Sequence, residues 1–478
     1  MTVQQSIITK TKYQHITYNL HIIFMQLLPA AIIALLLAFC SLHGTAQNTA
    51  QTPLISGPML GYAEHREVLI WLEVSPDVQQ VELRYWAQGQ PQTARTAAYQ
   101  GALQQSFNPM RIAIGGLALG TTYEYEVWLD GKRQILPFPL RFATKDLWEW
   151  RKPAPNFSFQ MGSCLYVNDS IYDRPGKPYG AGFAVTNDMT RRPADFVLWL
   201  GDNTYLREAD WSSGYGIQYR YQHTRRQPEL QALWAARPHY ATWDDHDYGP
   251  NNGNLSYNGK EIALQTFKNY WGNQQYGEAD NAGVYSYFSW SDADFFLLDN
   301  RYHRSAEDLP DTSSDKTYLG KRQMDWLKNA LLASKATFKF ITSGSQVTNE
   351  ANKYECMRQY QREFDDLLGF IAQQHIEGVV FLSGDRHFSE ILRYAPTGSY
   401  PIYEITASPL SSGAFKNIAA DKKEGNNPQR VTDALCNTQN YLQISIDGEP
   451  KQRRLTATCY DGAGKAIFTY TINAKDLR

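Results

Sequence analysis

The sequence predicts two folded parts: an all-β sandwich over residues 53–146 and an α/β domain over residues 155–475. Three observations carry this. The chain has 478 residues, more than one domain usually needs. Between Gly57 and Thr144, short runs such as VLIWLEV, QVELRYWA, RIAIGGL and PLRFAT alternate or are rich in aromatics, and Gly, Pro and Asp-Gly signals cut them apart. After the segment KDLWEWRKPAPN, which reads as a linker, near-continuous apolar strands alternate with longer helix-like stretches. That pattern belongs to sheets covered on both faces through α/β crossovers.

Residues 1–46 have a different texture. An apolar run from about Leu27 to Leu42 is followed by small residues at Gly44 and Ala46, the layout of a secretory signal peptide. Lys10 and Lys12 supply charge upstream, and Met25 is an alternative start. LAFC at Leu37–Cys40 also resembles a bacterial lipobox, although Phe39 stands where a small residue is usual. Cleavage after Ala46 and lipidation at Cys40 both take the protein out of the cytoplasm, periplasmic or extracellular. Export permits disulfides, and Cys356, Cys436 and Cys459 leave the pairing open. The net charge of -2 gives no basic surplus for nucleic acid, and a monomer is expected.

Within the first part, GLALGTTYEYEVWLDG resembles the late strands of a fibronectin-III or immunoglobulin-like sandwich. It carries no catalytic cluster, so its expected role is support. The tail, NYLQISID and RRLTATCYDGAGKAIFTYTI, reads as a closing hairpin turning at Asp461-Gly462.

Between linker and tail, the strands end in a repeated way. FQMGSC ends at Cys164. FVLWLGDNTY ends at Asp202, with Tyr205 three residues on. YATWDDHD ends at Asp244, Asp245 and His246. FFLLDNRYHR ends at Asp299 and Arg301, FKFITSGSQ at Gln346, and FLSGDRH at Asp385 and His387. In open α/β folds the site lies beyond the carboxyl ends of the strands. Each motif alone has an ordinary structural explanation: GD a turn, GSC a small buried residue, WDDHD a helix cap. Buried polar groups cost roughly 1–3 kcal/mol each when unpartnered, and a shared cation would satisfy several together.

GSC, GDNTY, WDDHD, LDNRYHR and LSGDRHFSE together resemble the alkaline phosphatase D family of calcineurin-like metallophosphatases. The resemblance spans about residues 55–470 and implies a metallophosphatase β-sandwich flanked by helices. It implies a phosphate-ester hydrolase, an alkaline phosphatase or phosphodiesterase, acting by direct attack of a metal-bound hydroxide. Asp202 would bridge the cations and share in catalysis. Cys164, Tyr205 and His387 would bind Fe3+, and Asp245 and Asp385 would hold Ca2+ or another hard cation such as Mn2+ or Mg2+. His246 would assist the leaving group. Arg301 is a substrate-binding candidate that can equally pair with a ligand carboxylate. Gln346 stands where the wider superfamily places a His donor, which leaves the ligand count open there.

Asp385 and His387, one residue apart, would face the same side of an extended backbone. Substrates would be small-molecule or lipid phosphate esters. Two alternatives are a phospholipase D-type diesterase and a non-catalytic exported binding protein with a structural metal.

Overall fold

Eight strands open the chain: β1 (Leu54–Ala63), β2 (Glu67–Val74), β3 (Val81–Ala87), β4 (Arg95–Ala98), β5 (Asn108–Gly115), β6 (Thr122–Leu129), β7 (Lys132–Arg133) and β8 (Arg141–Ala143). The structure is a computed structural model and describes residues 52–173 and 175–478. The expected signal peptide and Cys40 lie outside the described residues. The eight strands form two sheets, β1-β2-β5 and β4-β3-β6-β7, with β8 added on β6. Leu60, Ile70 and Leu72 from one sheet pack on Leu83, Tyr125 and Val127 from the other.

The second part runs β9 (Phe157–Gly162), α1 (Ala184–Arg191), β10 (Phe196–Leu200), α2 (Gly214–Arg225), α3 (Pro228–Ala236), β11 (His239–Thr242), α4 (Asp245–Tyr248) and α5 (Lys260–Tyr270). It continues through β12 (Ser286–Trp290), β13 (Ala293–Leu297), α6 (Lys321–Ala333), β14 (Phe338–Thr342), α7 (Gln361–Gln373) and β15 (Val379–Ser383). It closes with β16 (Ser389–Tyr394), β17 (Ile402–Thr406), β18 (Arg430–Cys436), β19 (Asn440–Asp447), β20 (Arg454–Asp461) and β21 (Ala466–Asn473).

Two mixed sheets result, ordered β11-β10-β9-β19-β20-β21 and β12-β13-β14-β15-β17-β16-β18. Their inner faces meet through stacked phenylalanines. Phe159 lies on Phe196 at 5.0 Å, Phe295 lies on Phe340 at 4.8 Å, and the two pairs meet edge-on, Phe159 against Phe295 at 5.2 Å. Alternate residues of the same strands point outward under helices. Val197 and Trp199 pack against Leu230, Leu233 and Phe267. Ile341 and Phe381 pack against Met324, Leu327, Phe364 and Leu367. Coverage on both faces is why β10, β13, β14 and β15 are buried at every position and mostly apolar, the feature that makes them legible as buried strands.

The sandwich keeps a core of its own and is docked on the second part: residues Pro53–Arg478 form one compact unit. The physical reason lies in β1 and β2, which are apolar on both faces. Met59 and Trp71 point away from the sandwich core into that of the second part. Trp71 Nε1 donates to the Asn269 carbonyl at 2.8 Å, and the Tyr62 amide donates to Gly272 at 2.9 Å. Gly61 and Gly272 touch backbone to backbone; a Cβ on Gly272 would stand 2.4 Å from the Gly61 Cα.

Glu73 is buried at this junction, accepting from Gln222 at 2.8 Å and Tyr270 at 3.0 Å. Burial pushes its carboxyl up to about 7. A raised acid keeps its proton in the folded state, so its stabilising contribution is present below the unfolded value and is lost as pH rises toward 7. Wild type is therefore expected to lose up to about 3 kcal/mol relative to Glu73→Gln between pH 5 and pH 8. Denaturant unfolding of the two proteins checks this, and a pH-independent difference contradicts it.

Candidate metal centre

The carboxyl ends of two parallel sets, β9-β10-β11 and β13-β14-β15, converge on one edge. Four of the side chains delivered there sit on residues with left-handed backbone: Cys164 (φ 59°), Asp202 (φ 52°), Asp385 (φ 70°) and His387 (φ 57°). Such conformations cost non-glycine residues of order 1–3 kcal/mol and persist where the surroundings enforce them. Here they turn side chains off the strand ends. Gly384 permits the approach of the two sheets, since a Cβ there would stand 2.5 Å from the Leu200 carbonyl and 2.6 Å from Ser163 Cβ.

On one side, donor atoms of Cys164, Asp202 and His387 lie within 4.8 Å of one another. Cys164 Sγ is 3.5 Å from Asp202 Oδ2, and the Tyr205 hydroxyl donates to the same oxygen at 3.1 Å. His387 Nε2 is 3.4 Å from the Tyr205 oxygen. His387 Nδ1 lies 2.7 Å from the Gly413 carbonyl. A carbonyl only accepts, so the proton sits on Nδ1 and the Nε2 lone pair faces the cluster.

On the other side, Asp202, Asp245 and His246 again offer donors within 4.8 Å of one another. Asp202 Oδ1 turns this way and accepts from the His246 amide at 3.3 Å. The two oxygens of Asp202 thus face two different donor groups. Asp385 completes neither group by that distance. Its backbone carbonyl lies 3.6 Å from Cys164 Sγ, and its carboxylate is 4.0 Å from Arg386. The charges of Asp244, Asp245 and Glu355 reach that carboxylate, which places it toward the carboxylate-rich side. Asp385 and His387 do not share one side of an extended strand, because β15 ends at Ser383 and both turn left-handed.

The electrostatics fit a cation. Burial pushes the Cys164 thiol up to about 12 and the Asp385 carboxyl up to about 7. Burial, then the neighbouring Cys164, Asp245 and Asp244, also raises Asp202, and burial raises Tyr205. These groups resist ionising one beside another unless positive charge lies among them. His246 is held low by burial, its ring stacks on Tyr205 at 4.3 Å, and its buried Nδ1 has no hydrogen-bond partner.

The WDDHD run divides its labour. Asp244 and Asp247 form a capping box that starts α4. Asp247 also accepts from the Asn203 and Thr204 amides at 3.0 and 3.1 Å, bracing the Asp202 loop. Asp245 accepts from the His246 and Asn252 amides at 2.9 and 2.7 Å.

Arg301 corrects the sequence expectation of a substrate contact. It is 0% exposed, donating from Nε to Asp244 at 2.6 Å and from Nη1 to Glu355 at 2.6 Å. Neither partner is among the expected ligands; of those, Asp245 lies 3.9 Å from Arg301 Nη2. Gln346 is spent within the protein: its Nε2 donates to Glu390 at 2.8 Å and Thr406 at 3.0 Å, and its Oε1, the atom a metal would use, accepts from Asn349 at 2.9 Å. Residues that motif reading missed include Tyr166, whose ring packs on Tyr205 at 4.9 Å, and Tyr179, whose oxygen is 3.1 Å from His387 Nδ1. Tyr166 stands two residues after the GSC motif, and Tyr179 is brought near only by the fold. Cys356, Cys436 and Cys459 are buried and free.

The family model described as PhoD-like phosphatase matches residues 171–455, and one described as a domain of unknown function (DUF7800) matches residues 51–144. A solved structure described as PhoD is similar at 18% identity over 91% of this chain and 93% of that one, with a TM-score of 0.72. A purple acid phosphatase from yellow lupin (Lupinus luteus) seeds is similar at 9% identity over 87% of this chain and 74% of that one, with a TM-score of 0.59. No curated protein matches the chain.

Proposed function

Because the chain belongs to the PhoD-like phosphatase family, we propose that this metallophosphatase is exported and hydrolyses phosphate esters at the Asp202 centre. One observation carries the reading: Asp202 belongs to both donor groups, the arrangement a carboxylate shared by two cations requires. Cys164, Tyr205 and His387 would hold Fe3+, and Asp245 and Asp385 would hold Ca2+ with Asp202 between the two. Thiolate and phenolate suit iron, whereas carboxylate oxygens suit hard divalent ions. When bound, the cations supply Lewis acidity to phosphoryl oxygens and lower the pKa of water.

The protein's own residues do the rest. Asp202 fixes the separation of the two donor groups. His246, held by its stack on Tyr205, would present a ring N–H to the departing ester oxygen. Arg301 holds Asp244 and Glu355, and so keeps the Asp245–His246 turn in place. Export rests on the apolar Leu27–Leu42 run and the small residues after it. Among the described residues no helix is long and apolar enough to cross a membrane.

Hydrolysis of p-nitrophenyl phosphate and of its bis-ester by metal-replete protein tests the reading. Turnover of the monoester, abolished by chelation, is expected. Faster bis-ester turnover would make the enzyme a diesterase, and no turnover of either would favour the binding alternative. N-terminal sequencing of the same preparation, made in its natural host, checks export; a retained Met1 or Met25 contradicts it.

A further inference from the structure

An ester's anionic oxygens call for a cationic side chain, and two arginines near the centre are already committed. Arg301 is fully buried between Asp244 and Glu355, and Arg386 donates to Glu424 at 2.7 Å. Arg207 differs. It stands two residues after Tyr205, and the Leu206 amide between them donates to the His246 carbonyl at 3.0 Å. The backbone of Arg207 is fixed in a turn. Its amide donates to Asp210 Oδ2 at 2.8 Å, and its carbonyl accepts from the Asp210 and Trp211 amides at 2.8 and 3.3 Å.

The side chain is 13% exposed, and Nε is buried without a hydrogen-bond partner. Its one ion pair among the described residues is a long one: Glu208 Oε2 lies 3.6 Å from Nε, beyond hydrogen-bond length, and the Glu208 side chain is 59% exposed. The positive charge of Arg207 reaches His246, Tyr166 and Tyr179, the rings around the metal centre. A buried N–H without a partner costs roughly 1–3 kcal/mol, and an incoming acceptor recovers it.

We infer that Arg207 binds the substrate's phosphoryl group, its guanidinium donating to a non-bridging oxygen beside His246. A planar fork of N–H donors matches that oxygen geometry, which an ammonium does not reproduce. The inference rests on the phosphoesterase reading of the centre.

Calorimetric titration of inorganic phosphate into metal-replete wild type, Arg207→Ala and Arg207→Lys tests it, with monoester turnover measured alongside. Arg207→Ala is expected to weaken phosphate binding by about tenfold or more, and to raise KM for the monoester more than it lowers kcat. Arg207→Lys, keeping the charge without the fork, is expected to fall between the two. Phosphate affinity of Arg207→Ala within about twofold of wild type, or no phosphate binding by wild type, would overturn the inference. If Arg207→Ala does not fold, Arg207→Gln, which keeps the length, takes its place under the same criteria. A wild type that binds phosphate through Arg207 yet turns over no ester would sink the phosphoesterase reading and leave this contact standing.

Discussion

Asp202→Asn is expected to lower turnover by at least about a thousandfold while leaving the thermal midpoint within a few degrees. The two halves of this expectation have separate causes. The amide keeps one oxygen acceptor but cannot offer an anionic oxygen to each donor group, so the bridge between the Cys164 side and the Asp245 side fails. Folding, in contrast, gains little from the native charge. Asp202 is buried, and the neighbouring Cys164, Asp245 and Asp244 all disfavour its ionised form. A neutral isostere relieves that repulsion, so the metal-free variant should melt no lower than metal-free wild type. Steady-state kinetics and calorimetry on the same preparations check both halves. Retained turnover would remove Asp202 from the bridging role, and a collapse in melting temperature would make its role structural.

His246→Ala is expected to lower kcat by about a hundred- to ten-thousandfold, with metal content unchanged. The ring offers a donor atom within 4.8 Å of Asp202 and Asp245, so a ligand role and a proton-donor role have to be separated. Two features favour the proton-donor role. The ring is oriented by its stack on Tyr205, and Asp245 already receives the His246 and Asn252 amides, which hold it without help from the imidazole. The substrate's leaving group gives a second readout. Esters of a good leaving group need little protonation, so the variant should lose less activity on p-nitrophenyl phosphate than on an alkyl phosphate. Loss of metal together with activity would instead make His246 a ligand.

Much of the centre was legible because its residues follow apolar strands in sequence order. The runs ending at Leu200, Leu297, Thr342 and Ser383 are buried on both faces, which makes their ends plain, and the chemistry sits just past those ends. What stayed illegible depends on three-dimensional partners. The spacing of Asp385 and His387 implies a shared side only if the backbone is extended, and both residues are left-handed, just past a Gly384 packed closely on Leu200 and Ser163. Arg301 reads as a phosphate contact until Glu355, 54 residues later in the chain, is seen to take its other end. Tyr179 belongs to no strand end, and nothing in the sequence sets Tyr166 apart from the other aromatics near one. The docking of the sandwich was partly visible, since VLIWLEV is apolar at consecutive positions and a sandwich strand with one wet face would alternate. The partner for that second face, the C-terminal end of α5 at Asn269–Gly272, could not be read from the strand itself.

A centre in which one carboxylate, Asp202, is shared between two cations has a defined metal content. Elemental analysis by mass spectrometry of active wild type and of Asp202→Asn tests it most directly. About two metal equivalents per chain are expected in wild type, with iron among them, and a loss on both sides of the centre in the variant. Full activity with a single equivalent, or an unchanged metal complement in Asp202→Asn, would contradict it.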